Sequence, residues 1–206
     1  MTTGKVPTQV RLTRIPDSWA WIWSDVLIRL VPFALAYTAA VALSKHAAWL
    51  GLSLGDLPAQ ILFAVVAVPV MFAAAVAVQL VLTRRRGVLS VPAGADDAGL
   101  QAAFYAVNGP IEEAFFRGLM QGGLSVLWGP PLGFAIATAV YVLYHRLGRW
   151  PWEDTFATAF VGVPMGLAFW LLPSPPSLLG VSLAHIAATC GFLGPGPYLL
   201  RRLRLI

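Results

Sequence analysis

Residues 109 to 118, GPIEEAFFRG, set Glu112, Glu113 and Arg117 in a chain that otherwise avoids charge. Two adjacent carboxylates with a cation nearby can move a proton or hold a charge, and helical spacing gives the two glutamates different surroundings. At about 100° per residue, Glu113 and Arg117 lie four apart on one face, whereas Glu112 points away from both. Glu113 and Arg117 are therefore expected to form a structural ion pair. Glu112 has no partner on its own segment, and two readings stay open for it: a solvated carboxylate where a helix starts, or a working group.

Two histidines bear on that choice. His145 closes YVLYH, four residues after Tyr141, and His185 stands in SLAHIAAT, four residues before Thr189. Taken singly, each is more simply a packing residue with one satisfied hydrogen bond. Taken with Glu112, they complete a set of parts. A carboxylate and an imidazole can share a water that the carboxylate deprotonates, and a second imidazole with a hydroxyl can donate hydrogen bonds to an oxyanion. Amide hydrolysis needs those parts. Two histidines and a carboxylate could instead bind zinc, but no HExxH stretch fixes two ligands on one helix, so neither metal nor cofactor is expected. Cys190, the single cysteine, can form no intrachain disulfide; five positions from His185 and turned off its face, it reads as a small packing residue.

The elements that must position these groups follow from composition. The 206 residues are 58% hydrophobic and 11% charged, with a mean hydropathy of +0.75, which marks an integral membrane protein. Apolar runs near 26–43, 57–82, 110–128, 130–147, 154–172 and 177–194 are each close to the roughly 20 residues that cross a bilayer as a helix. The expected fold is all-α: a single membrane-embedded domain over 1–206, with about six transmembrane helices, two of them within 26–82. LQAAFYAV (100–107) reads as a short interfacial helix broken by NGP. Pro110 then opens the third span, which puts Glu112 and Glu113 in a first turn whose dipole favours negative charge. Glu112 and His145 would lie at similar depth, with His185 somewhat deeper.

Of the fourteen Lys and Arg residues, eleven (Lys5, Arg11, Arg14, Arg84, Arg85, Arg86, Arg146, Arg149, Arg201, Arg202 and Arg204) fall in alternate connections or near the two termini, and Lys45 lies opposite. The positive-inside rule places both termini in the cytoplasm. Trp19, Trp21 and Trp23 read as an interfacial belt before the first span. The basic balance thus reflects topology and contact with the lipid bilayer, and no basic patch interleaved with aromatics points to nucleic acid. The first run is not expected to be a cleaved signal, because a long segment containing Pro16, Asp17 and Asp25 precedes or enters it. A small transporter with a Glu/His proton relay also accommodates buried ionisable groups, although no matching pair of interrupted spans suggests a repeated transport fold.

EEAFFR (112–117), YVLYH (141–145) and HIAAT (185–189) resemble, in order and spacing, the EExxxR, FxxxH and HxxxN motifs of the CPBP intramembrane protease family, also called Abi, which includes the type II CAAX prenyl proteases. The resemblance spans a catalytic core of roughly residues 100–195. It implies a metal-independent glutamic endopeptidase in a bacterial plasma membrane, acting on a membrane-associated peptide or protein near the cytoplasmic leaflet. By position it makes Glu112 and His145 the pair that activates water and His185 an oxyanion donor, with Glu113 and Arg117 as support. Tyr141 stands where Phe is usual, and Thr189 where Asn is usual, which shortens the second oxyanion donor. A non-catalytic member acting in bacteriocin-type self-immunity or membrane interaction is the alternative that Thr189 favours.

Overall fold

The computed structural model describes residues 10–15, 18–44 and 47–206. Lys5, Pro16, Asp17 and Lys45, on which parts of the charge and signal arguments fall, lie outside the described residues. After a short strand β1 (Arg11–Arg14), a first helical stretch comprises α1 (Ser18–Asp25), a π turn (Val26–Leu30) and α2 (Val31–Leu43). A 3-10 turn leads to α3 (Leu57–Arg86), the longest helix. Its ends are well specified. Asp56 accepts from the Ala59 amide at the start, three arginines sit in the last turn where the dipole favours cations, and Gly87, at a φ of 68°, supplies the left-handed residue that ends it. Strand β2 (Val88–Val91) then pairs in parallel with β1, Arg11 opposite Val88. This two-stranded pair is an addition to the all-α reading.

The following helix departs from expectation. α4 runs unbroken from Ala95 to Glu113, through Pro110, into a π segment (Ala114–Gly122) and α5 (Gly123–Trp128). There is no separate interfacial helix, and Glu112 and Glu113 are not in a first turn. In isolation NGP is turn chemistry, but here packing overrides it. A Cβ at Gly109 would stand 2.9 Å from Ile186 Cγ1, so glycine permits a close approach of another helix, and Asn108 accepts a hydrogen bond from Arg29 at 2.7 Å. Pro110 removes only one backbone donor, which a packed membrane bundle tolerates.

The chain continues through α6 (Pro130–Tyr144), a 3-10 turn (His145–Gly148), α7 (Trp152–Ala157), α8 (Ala159–Leu171), α9 (Leu179–Phe192) and α10 (Pro195–Arg202). A core of Ala67 and Met71 from α3, Met165, Ala168 and Phe169 from α8, and Val181, Ala184 and Ala188 from α9 holds the bundle together. Small residues let these helices approach closely, as in membrane bundles generally. Leu27, Ile28, Leu35, Leu62 and Val65 face outward, while Gln60, Gln101, Gln121, Glu113 and Arg117 are buried. Apolar outside and polar inside is the arrangement for a lipid surround.

Among the described residues, three stretches are long and apolar enough to cross a membrane: Ser18–Leu43, Leu57–Arg86 and Trp152–Leu171. A fourth arises if Leu179–Phe192 and Pro195–Arg202, bent by 44°, form one span. The runs at 110–128 and 130–147 do not reach that measure: the first belongs to a longer helix carrying Asp96, Asp97, Glu112, Glu113 and Arg117, and α6 has 15 residues. The helical membrane bundle stands, and the sixfold span count does not follow from length alone. Trp19 and Trp23 are exposed, but Trp21 turns inward, edge-on to Phe104 with ring centroids 5.4 Å apart.

One end of the bundle collects the cations of alternate connections. Arg86 binds Asp154, donating through Nη1 to Oδ2 at 2.8 Å, and Arg146 lies 4.7 Å from the centroid of the Trp152 ring. Ser53 Oγ donates to the Pro176 carbonyl at 2.9 Å, and Leu52 bridges Ser177, so the connection that follows α2 meets the one that follows α8.

Candidate active site

Four helical segments bring the site together. Glu112 lies in the last turn of α4, Arg117 stands in the π segment, His145 follows α6 directly, and His185 and Thr189 lie one turn apart on α9. Glu112, His145, His185 and Thr189 all line one cavity of about 750 Å³. Glu113 and Arg117 are fully buried and are not among its lining residues.

Glu113 Oε2 lies 3.3 Å from Arg117 Nε, and Glu113 Oε1 accepts from His185 Nδ1 at 2.5 Å. Arg117 Nη1 donates to Thr138 Oγ1 at 3.2 Å and to Gln121 Oε1 at 3.3 Å, and Gln121 donates onward to the Gly166 carbonyl at 2.8 Å. The guanidinium carbon lies 5.2 Å from the centroid of the Tyr141 ring, a cation–π contact. This chain of contacts ties α4, α6, α8 and α9 together behind the cavity. Gly162 belongs to it by its smallness, because a Cβ there would lie 2.7 Å from Tyr141 Cδ1.

Of the two readings left open for Glu112, its surroundings remove one. Glu112 is buried, with 3% of its surface exposed, and it has partners. Tyr144 donates its hydroxyl to Glu112 Oε1 at 2.7 Å, Arg29 Nη1 donates to the same oxygen, and Oε2 faces His185 Nε2 at 3.5 Å. A solvated carboxylate at a helix start is thereby excluded. Helical spacing within 109–118 carries no trace of these partners, because Arg29 comes from the first helical stretch and Tyr144 from α6.

His145 donates Nδ1–H to the Tyr141 carbonyl one turn back at 2.8 Å, so the neutral ring carries its lone pair on Nε2. Its ring packs among Tyr141, Tyr144 and Trp150, with centroids 5.1, 4.2 and 5.0 Å away. His185, rather than His145, directly contacts the glutamates. The Tyr141 ring stands edge-on to both imidazoles, so an aromatic at that position spaces the two histidines. Cys190 packs beside Phe104 and Tyr105.

Sequence reasoning missed Arg29, Asp25, Asn108 and Tyr144 as members of the site. One signal was present: Asp25 and Arg29 are four apart where the first apolar run begins, the same spacing as Glu113 and Arg117. Among the described residues, no three His, Cys, Asp or Glu side chains converge as metal ligands.

The fold and site define a helical integral membrane protein with a cavity lined by Glu112, His145, His185 and Thr189 and backed by the buried Glu113–Arg117 pair. Residues 96–190 match the family model described as type II CAAX prenyl endopeptidase Rce1-like. This segment contains all three motifs, and over it the chain is similar to that family, in keeping with the CPBP (Abi) resemblance. At family level the match supports a CAAX-type intramembrane protease, a hydrolase seated in a membrane. No curated protein and no solved structure matches the chain.

Proposed function

We propose that the protein, as one membrane-embedded domain, is a glutamic endopeptidase that hydrolyses a peptide bond with water activated by Glu112 and His145, without a metal. The observation that carries this reading is Glu112 Oε2, 3.5 Å from His185 Nε2, on a cavity wall shared with His145 and Thr189. Oε1 is occupied by Arg29 and Tyr144, which leaves Oε2 to accept a proton from water. His145, with its Nε2 lone pair, orients that water or takes its proton. The hydroxide attacks the scissile carbonyl, and the proton passes to the leaving amine as the C–N bond breaks.

The developing oxyanion needs donors in place before it forms. His185 donates Nδ1–H to Glu113, so donation from Nε2 requires a ring carrying both protons. Thr189, one turn on, is the second donor.

Thr189 provides the test. Losing one oxyanion donor typically lowers turnover about 10²- to 10³-fold, so Thr189→Ala should be impaired far beyond its stability change in a peptide hydrolysis assay. Thr189→Asn should be active, since the longer amide restores the family's usual reach. Full activity in Thr189→Ala with a dead His185→Ala would make Thr189 a packing residue. No hydrolysis by any of these proteins, wild type included, would favour the non-catalytic immunity role.

The orientation proposed is with the Arg84–Arg86 end in the cytoplasm and the Ser174–Ser177 connection outside. A cysteine placed at position 176 should be labelled by an impermeant maleimide added outside, and one at position 85 only after permeabilisation. The reverse pattern would invert the topology.

A further inference from the structure

We propose that Arg29 is a positioning residue for Glu112, holding one carboxylate oxygen from the first helical stretch so that the other is presented to the reacting water. This inference rests on the reading of Glu112 as the group that activates water. Arg29 lies far from the three motifs in sequence, inside the first apolar run, yet its side chain reaches the cavity they line.

The guanidinium has five N–H donors in a fixed plane, and five acceptor contacts surround it. Nε donates to Asp25 Oδ1 at 2.8 Å. Nη2 donates to Asp25 Oδ2 and, at 2.7 Å, to Asn108 Oδ1. Nη1 donates to Glu112 Oε1 and, at 3.0 Å, to the Tyr144 hydroxyl. A fork with every donor engaged has one orientation.

Tyr144 accepts from Arg29 and donates to the same Glu112 oxygen, closing a three-membered ring of hydrogen bonds around Oε1. Only Oε2 is left turned towards His185. Asp25 cancels the charge of Arg29, so the pair orients Glu112 without neutralising it. The π turn Val26–Leu30 carries Arg29, and such turns recur where a helix must aim a side chain at a site. The bracket is also selective for arginine. A lysine ammonium is a point charge with three donors and cannot span Asp25, Asn108, Tyr144 and Glu112 at once.

The test compares Arg29→Lys and Arg29→Ala with wild type in proteoliposomes, using a pool of fluorogenic peptides that carry an apolar segment. Misplacing a reacting group by about 1 Å can lower turnover by up to about 10²-fold, so both variants should lose kcat by about 10- to 100-fold with KM within about threefold of wild type. Restoration by Arg29→Lys to wild-type kcat would show that charge alone is needed and would overturn the positioning role. Addition of ethylguanidine to Arg29→Ala should recover part of the lost kcat, whereas a purely structural defect would not respond.

A second measurement does not depend on hydrolysis. Carbodiimide coupling to an amine, read by mass spectrometry, should modify Glu112 slowly in wild type and several-fold faster in Arg29→Ala, with Glu113 unchanged in both. If wild type cleaves no peptide, the protease reading fails and the labelling alone decides whether Arg29 holds Glu112. Equal labelling of Glu112 with and without Arg29 would overturn the proposal.

Discussion

Glu112→Gln is expected to abolish peptide hydrolysis while the protein stays folded. A positioned acid–base group contributes about 10²- to 10⁴-fold to turnover, and the amide cannot accept the water's proton. It can still accept hydrogen bonds. Tyr144 and Arg29 both donate to Oε1 of the native residue, and a carboxamide oxygen in that place satisfies them, while Arg29 retains Asp25. Thermal unfolding in detergent should therefore move little although product formation falls to background. Wild-type turnover by Glu112→Gln would contradict the role given to this residue.

Glu113→Ala is expected to fail differently, through the amount of folded protein. Glu113 and Arg117 are both fully buried, and removing one member of a buried pair is destabilising by about 3 to 5 kcal/mol because the remaining charge has lost its partner. Gln121, Thr138 and the Tyr141 ring remain around Arg117, but none carries negative charge. The same substitution also releases His185 Nδ1, so surviving protein should be slow as well as scarce. Normal yield and unfolding temperature for Glu113→Ala would mean that the pair does not hold α4 to its neighbours.

The two adjacent carboxylates thus differ by surroundings rather than by chemistry, and that difference was partly legible. Spacing alone put Glu113 beside Arg117, and it put Glu112 on another face, because both statements concern one helix. What faces Glu112 was not legible. Arg29 and Tyr144 come from the first helical stretch and from α6, and nothing in local periodicity reports contacts across 83 and 32 positions. Pro110 misled for a related reason. Turn chemistry at 108–110 predicts a break, yet Gly109 and Asn108 serve contacts with Ile186 and Arg29, and the helix continues. The apolar runs announced a membrane bundle, but the polar residues buried in the long helix from Ala95 made its crossing segments hard to delimit. The parallel pairing of β1 with β2 joins segments separated by about 77 positions and has no local signature.

The most direct test of the account is hydrolysis of apolar-segment peptides by the purified protein in proteoliposomes, with and without a strong chelator, beside Glu112→Gln. The expected result is cleavage that the chelator leaves unchanged and that Glu112→Gln lacks. Cleavage lost on chelation and restored by added zinc, or cleavage that persists in Glu112→Gln, would contradict it.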